Sequence, residues 1–267
     1  MSSNSNATPT STRRWRILVI GNSVATMVHD RGSRLEGPYP ELLEQLMRDK
    51  GFDVEVRNCG REFGLIDDGI YRYQELERAW SPDVLVVNFG MAESQPPFIP
   101  HGVYNHFMTW DVGLSRPAQA YRRKVAPWLW TQLRKAQRIA VKRIGLHGFR
   151  INPRKYVTLL KQVIFLARYD HRLVLVIDIN PPGERIAYSL PGAEPRRDRY
   201  QALTLQVVNE ARVNDPDGVK LIEGSKLADE LGMDAALPDG YHFSAKAHRR
   251  MAEMLAAEIE PWIASLR

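Results

Sequence analysis

The chain has 267 residues, of which 44% are hydrophobic, and this length suits one α/β domain with insertions better than two full domains. No run of apolar residues is long enough for a transmembrane helix, and the polar N-terminus lacks the apolar stretch of a signal peptide. The formal net charge of +6 is unevenly distributed, because residues 116–172 contain fifteen Lys and Arg but one acid, whereas the remainder carries 22 bases and 30 acids.

The first third of the chain alternates between strand and helix patterns. Residues 1–14 are polar and predict a disordered tail. Short apolar runs rich in β-branched residues then predict buried strands, and the segments with helical periodicity between them begin or end at Pro, Gly or Ser-Pro signals. The predicted elements are a strand over 15–20, a helix from Pro38 to a stop at Gly51, a strand over 52–58, a helix over about 68–80 and a strand over 83–89.

The pattern breaks between residues 94 and 155, which are rich in proline, aromatic and basic residues and show helical periodicity around 118–144. Strands that alternate with helices on either side of this break imply right-handed crossovers and a mostly parallel sheet. We therefore predict a three-layer α/β/α sandwich, with residues 15–267 forming a single domain and a basic helical insert at about 94–155. The later predicted elements are a helix over 153–168, a strand over 172–180, a helix over 196–213, a strand over 219–222 and a helix over 244–265.

Polar, glycine-containing turns follow the predicted strands, at the edge where open parallel sheets bind ligands. Ser23 lies in the turn GNSVA directly after the first strand, NCGREFG (58–64) follows the second strand, and NFGMAE (88–93) ends the third. A fourth polar segment, DGYHFSAKAH (239–248), precedes the last helix and carries Asp239 and His242 three residues apart.

These residue types are the ones that nucleophilic catalysis needs. A serine becomes nucleophilic when a histidine removes its proton, and a carboxylate orients that histidine and stabilises its charged form. Ser23, His242 and Asp239 are therefore the candidate nucleophile, base and acid. The structural alternatives are that Ser23 is a helix N-cap and that Asp239 and His242 are turn or capping residues, although Ser244 already has the sequence position of the last helix's N-cap.

Taken together, the four segments resemble the sequence blocks of the SGNH (GDSL-like) hydrolase superfamily. GNS at 21–23 is similar to the nucleophile block, with Asn22 where aspartate is commoner, and DGYHFSAKAH is similar to the acid–base block. NCGREFG is similar to the second block, in which a glycine amide binds the oxyanion, and Gly60 and Gly64 are both candidates for that role. The resemblance covers the core of the chain but not the basic insert, and it implies a flavodoxin-like sheet with Ser23, Asp239 and His242 as catalytic residues.

The third block departs from the family pattern. Members usually have G-x-N-D after the third strand, where the asparagine side chain donates to the oxyanion. Here Ala92 replaces that donor within Gly90–Glu93, and losing one such donor typically costs about 100- to 1,000-fold in rate. Either another group substitutes, with Asn88 the nearest candidate, or the chemistry differs from ordinary ester hydrolysis.

The resemblance implies a serine-dependent esterase acting on a small-molecule or glycoside ester. An acyltransferase that moves the acyl group to a sugar or alcohol hydroxyl is the first alternative, since both reactions use one acyl-enzyme. A catalytically weakened domain kept for binding is the second, and Ala92 favours it. We expect no metal or cofactor, because the histidines lack ligand spacing and phosphate-binding loops are missing. The single cysteine, Cys59, excludes an intrachain disulfide and favours a cytoplasmic location.

The basic insert has several interpretations. Charge runs are usually solvated helical faces, but a cap that recruits an anionic substrate is the interpretation we favour. Trp128 and Trp130, among arginines and lysines, indicate a membrane-surface element as another. A nucleic-acid partner is not expected, because nothing beyond charge supports it.

Overall fold

A five-stranded parallel sheet lies at the centre of the molecule, in the order β2-β1-β3-β4-β5. The structure is a computed structural model, and it describes residues 13–28, 37–62, 64–95, 115–144 and 148–266. This order is the flavodoxin-like one, so the predicted fold class is confirmed. The strands are β1 (Trp15–Gly21), β2 (Val54–Asn58), β3 (Val84–Asn88), β4 (Leu173–Ile177) and β5 (Val219–Ile222).

Helices connect the strands and cover both faces of the sheet. Those that follow β1, β2 and β3 are α1 (Tyr39–Asp49), α2 (Ile66–Trp80), α3 (Met91–Ser94), α4 (Arg116–Lys124), α5 (Ala126–Ile144) and α6 (Pro153–Tyr169). Those that follow β4 and β5 are α7 (Glu184–Ser189), α8 (Ala193–Asn214), α9 (Leu227–Leu231), α10 (Met233–Ala236) and α11 (Ala245–Ser265).

Two hydrophobic cores form because successive residues of a strand point to opposite faces of the sheet. On β1, Ile17 and Val19 pack on the face covered by α1 and α11, whereas Leu18 and Ile20 pack on the face covered by α2, α6 and α8. All four side chains have no exposed surface. The apolar runs of the sequence lack strict alternation because both faces of this sheet are buried.

The element predictions hold with small shifts of the ends. The predicted strand over 172–180 is shorter, because residues 178–180 leave the ladder and begin the loop toward α7. The helical periodicity around 118–144 corresponds to two consecutive helices, α4 and α5. The predicted tail lies outside the described residues apart from Arg13 and Arg14, which pair with Asp83 and Asp53. Within the described ranges, no helix is both long and apolar enough to cross a membrane.

Candidate active site

Ser23 begins a short 3₁₀ turn, Ser23–Ala25, directly beyond the end of β1. The turn is capped by Asn22, whose side-chain oxygen accepts a hydrogen bond from the Val24 amide at 3.0 Å. Asn22 therefore performs the capping role that was the structural alternative for Ser23. An asparagine oxygen caps as an aspartate does, so the departure from the commoner family residue leaves this turn intact.

Asp239 and His242 lie in the loop that enters α11, and Asp239 organises that loop. One carboxylate oxygen of Asp239 accepts hydrogen bonds from the amides of Tyr241 at 2.9 Å and His242 at 2.7 Å. Gly240 between them has a φ of +82°, which is the left-handed region that glycine tolerates. Ser244 caps α11 by accepting from the Ala247 amide, as the sequence predicted.

The fold brings Ser23, His242 and Asp239 into one hydrogen-bonded chain. Nε2 of His242 lies 2.8 Å from Oγ of Ser23, and Nδ1 of His242 lies 2.7 Å from the second carboxylate oxygen of Asp239. Burial raises the pKa of Asp239, but the hydrogen bonds from the His242 ring and from the loop amides outweigh it and hold that pKa well below its ordinary value. The acid is therefore a carboxylate at neutral pH, the state in which it stabilises a charged imidazole.

A close contact between two glycines holds the acid–base loop against the segment after β4. The amide of Gly183, which precedes α7, donates to the carbonyl oxygen of Gly240 at 2.9 Å. A Cβ atom at Gly183 would lie 2.6 Å from the Cα of Gly240, which is closer than non-bonded atoms can approach. The sequence gives no local signal for this contact, because the two glycines are far apart along the chain.

The two glycines considered for the oxyanion hole both have amides that already donate within their own loop. The Gly60 amide donates to the side-chain oxygen of Asn58, and the Gly64 amide donates to the carbonyl oxygen of Arg61, both at 2.9 Å. The Ser23 amide, in contrast, has no acceptor among the described residues. Of the three amides, that of Ser23 is therefore the one available to an incoming oxyanion.

Asn88 lies at the end of β3, paired in register with Gly21 of β1. Its side-chain amide donates to the hydroxyl of Tyr39 at 3.4 Å, and both residues are buried. Burial raises the pKa of Tyr39, so this hydroxyl remains protonated and its oxygen accepts the bond. An asparagine amide carries two hydrogens, and Tyr39 takes one of them.

In the divergent third block, Glu93 is buried and accepts hydrogen bonds from several segments of the chain. Ala92 and Glu93 are both buried, and the Glu93 carboxylate accepts hydrogen bonds from the amides of Gly90 at 2.7 Å and Ile66 at 2.9 Å. The Glu93 carbonyl oxygen accepts from Arg150, where the chain returns from the basic insert. Glu93 thus joins the start of α2, the end of β3 and the start of the α6 segment, a role that the sequence analysis missed.

His248 connects the last helix to the turn that contains Ser23. Its Nδ1 accepts from the amide of Tyr39 at 3.1 Å, and its Nε2 donates to the carbonyl oxygen of Met27 at 2.9 Å. The Met27 amide in turn donates to the carbonyl oxygen of Ser23. His248 has no exposed surface, so it supports the Ser23 turn from behind without reaching a substrate.

The basic insert contacts α7, the helix that follows the segment touching the acid–base loop. Helix α5 contacts α7, where the guanidinium of Arg138 lies 3.5 Å from the centroid of the Tyr188 ring. The segment that leads into α7 contains Gly183, which contacts Gly240. The described part of the insert therefore lies on the side of the molecule that carries the candidate site. Across the described ranges, His, Cys, Asp and Glu form no group suited to a metal ion.

Comparisons with known proteins find several whose structures are similar to that of this chain. No family model and no curated protein matches the sequence. A lipase/acylhydrolase from Enterococcus faecalis superposes with a TM-score of 0.60 at 16% identity, over 92% of this chain and 96% of that one. An acetylxylan esterase from Geobacillus stearothermophilus gives a TM-score of 0.57 at 14% identity, over 92% of this chain and 94% of that one.

A protein from Parabacteroides merdae described as a GDSL-like lipase also superposes, with a TM-score of 0.55 at 13% identity, over 91% of this chain and 94% of that one. Each likeness extends over nearly the whole length of both chains, and the shared architecture is the parallel sheet flanked by helices. The chain therefore has the fold of the SGNH (GDSL-like) hydrolases.

Proposed function

We propose that this protein is a serine-dependent ester hydrolase in which Ser23 is the nucleophile, His242 the general base and Asp239 the residue that orients His242. The observation that carries the proposal is the hydrogen-bonded chain from Ser23 Oγ through His242 to Asp239, with distances of 2.8 Å and 2.7 Å. Two separate loops, 219 residues apart in sequence, supply these side chains. A purely structural serine needs no such chain behind its hydroxyl.

The geometry supports the usual two-step acyl transfer. Ser23 Oγ attacks the acyl carbonyl while its proton moves to Nε2 of His242, and the Asp239 carboxylate stabilises the resulting imidazolium. The Ser23 amide donates to the oxyanion of the tetrahedral intermediate. His242 then protonates the leaving alcohol, which leaves an acyl-enzyme on Ser23. Water activated by His242 hydrolyses that acyl-enzyme and restores the starting state.

Ester substrates fit this proposal because the similar structures come from a lipase/acylhydrolase and an acetylxylan esterase. We propose an acyl ester of a small molecule or a glycoside as the substrate. A sugar or alcohol hydroxyl could replace water as the acceptor at the same acyl-enzyme, which would make the protein an acyltransferase. Product analysis separates the two outcomes, because hydrolysis releases a free acid whereas transfer yields a new ester.

Covalent labelling with a fluorophosphonate tests whether Ser23 is activated. We expect one adduct on Ser23, because the His242–Asp239 pair removes the serine proton as the probe's fluoride leaves. The substitution Ser23→Ala should abolish both labelling and turnover of p-nitrophenyl acetate while leaving the thermal melt nearly unchanged. The matched control Ser265→Ala removes an exposed serine at the end of α11 and should label like the parent protein. Folded parent protein that takes up no probe would instead support the binding-only alternative.

A further inference from the structure

We propose that the exposed face of helix α5 docks on the surface of an anionic lipid membrane. Residues three or four positions apart lie on one side of a helix, and the outward side of α5 carries a stripe with that spacing. Its two large apolar members are well exposed, with Trp128 at 60% and Ile139 at 54%. The stripe consists of Trp128, Thr131, Lys135, Ile139 and Lys142, each of which is exposed.

The charge around this stripe is positive, and the part of the chain that the structure describes supplies no carboxylate to its lysines. Residues 115–144 contain nine Lys and Arg and no Asp or Glu. Lys124, Lys135 and Lys142 are exposed, and none of them pairs with a carboxylate among the described residues. By contrast, Lys155 pairs with Asp67 and Lys161 pairs with Glu210. The helix pair α4–α5 therefore presents a cationic surface that an anionic partner would neutralise.

The apolar members of the stripe favour a lipid surface over other anionic partners. Exposing an indole and an isoleucine side chain to water is unfavourable. A helix face that only contacts water or phosphates does not require such side chains. At a membrane surface, a tryptophan and an aliphatic side chain enter the interfacial region, while lysines on the same side contact lipid phosphates. Trp128, Ile139, Lys135 and Lys142 supply that combination on one side of one helix.

The stripe is connected to the candidate site without being part of it. Arg138 of α5 packs on Tyr188 of α7, and the segment before α7 contacts the loop that carries Asp239 and His242. A membrane bound at α5 would therefore lie on the side of the molecule where acyl esters would enter. The docking itself does not depend on catalysis, so Ser23→Ala protein should bind vesicles as the parent does, even if the proposed hydrolase activity fails.

Co-sedimentation with vesicles tests the docking surface. We expect the full-length protein to pellet with equimolar phosphatidylglycerol and phosphatidylcholine vesicles and to stay in solution with vesicles of phosphatidylcholine alone. Each Lys near an anionic surface contributes about fivefold to partitioning, so the double variant Lys135→Glu, Lys142→Glu should bind at least about 20-fold more weakly. The variant Trp128→Ala should also bind more weakly, and the loss should persist at high salt, where charge is screened.

The control makes the same change of net charge outside α4 and α5, because Lys50 follows α1 and Lys220 lies in β5. Lys50 and Lys220 each form a surface ion pair, and Lys50→Glu, Lys220→Glu should bind vesicles like the parent. The α5 variants should melt as the parent does, since the changed residues lie on the surface, whereas the control should melt slightly lower because each substitution replaces an ion pair with a contact between like charges. The proposal is overturned if the protein binds both vesicle types equally, or if the control variant loses as much vesicle binding as the α5 variant. It is also overturned if the protein binds random-sequence DNA but not vesicles.

Discussion

Both ring nitrogens of His242 are engaged, which gives the ring one orientation and one tautomer. Because the Asp239 carboxylate can only accept, the proton of a neutral His242 resides on Nδ1, and Nε2 is left to accept from the Ser23 hydroxyl. The low pKa of Asp239 keeps that carboxylate charged at neutral pH, so it can accept the hydrogen bond from Nδ1. Oγ of Ser23 therefore already has a hydrogen-bond acceptor in Nε2 of His242, which is the geometry that the proposed proton transfer needs.

Asn88 is the residue we expect to replace the missing donor at Ala92. Its side-chain amide has a second hydrogen beyond the one that Tyr39 accepts, and β3 places it beside Gly21, two residues before Ser23. Asn88→Ala should therefore lower kcat by about 100-fold, the usual cost of one oxyanion donor, with a smaller effect on KM. Steady-state kinetics on p-nitrophenyl acetate measure this.

Tyr39→Phe is the matched control for that substitution. It removes the hydroxyl that accepts from Asn88 but leaves the amide in place, so kcat should change far less than in Asn88→Ala. If Asn88→Ala keeps kcat within twofold of the parent value, Asn88 has no role in binding the oxyanion.

The position of the Ser23 turn depends on α11, the last helix of the chain. His248 of α11 bonds to the first amide of α1 and to the Met27 carbonyl, and Met27 bonds back to Ser23. Helix α11 thus supports Ser23 through these hydrogen bonds. It also supports His242, because it begins directly after the loop that carries His242.

Replacing His248 should therefore affect stability and reactivity together. His248→Leu leaves the buried Tyr39 amide and the partly buried Met27 carbonyl without their partner, and an unsatisfied buried group costs about 1–3 kcal/mol, so the free energy of unfolding should fall by at least that amount. The fluorophosphonate labelling rate of Ser23 should fall as well, because the turn loses its support. Urea unfolding and labelling kinetics measure the two effects. Lys246→Leu, an exposed change on the same helix, should alter neither.

The sequence allows the long elements to be predicted but not the short ones. The strands are apolar runs between turn signals, and α1, α2, α6, α8 and α11 are long enough for their periodicity to show. Helices α3, α7, α9 and α10 have four to six residues, which is too few for a 3.6-residue period to stand out from chance. Their positions depend on tertiary contacts such as the one between Gly183 and Gly240.

The alternation of strand and helix patterns, together with the resemblance in four short segments, was sufficient to predict the fold class of the whole molecule. The same segments pointed to Ser23, Asp239 and His242, which the structure brings within hydrogen-bond distance of one another. The hydrogen bonds of the oxyanion region could not be predicted, because the acceptors of the Gly60 and Gly64 amides depend on how the loop closes. The burial of Glu93 could not be predicted either, since a glutamate after Met-Ala resembles any surface residue until α2 and the α6 segment cover it.

Glu93 should make the stability of the whole molecule depend on pH. Burial raises its pKa to about 7 from the ordinary value of 4.5, although backbone amides that donate to it act in the opposite direction. Between these two values the unfolded chain releases the proton while the folded protein keeps it, so the free energy of unfolding falls as pH rises. The total loss of unfolding free energy is about 3 kcal/mol, and it is complete once the pH is above about 7.

Urea unfolding at several pH values tests this effect, and Glu93→Gln is the comparison because it cannot ionise. As the pH rises from 4.5 to 7, the unfolding free energy of the parent should fall relative to that of Glu93→Gln. Asp239 does not interfere, because its lowered pKa makes its contribution change only in more acidic solution. A difference between the two proteins that stays constant with pH would contradict a buried, titrating Glu93.

The contact between Gly183 and Gly240 also restricts how this protein can diverge in evolution. Gly183 has no room for a side chain as long as the two backbones touch, and Gly240 has little room and additionally needs its positive φ. Homologues that keep this contact must therefore keep both glycines together, or lose both when the loop moves. One glycine of this correlated pair precedes α7, and the other lies between Asp239 and His242. The pair distinguishes the relatives that share this loop geometry from those that share only the sheet.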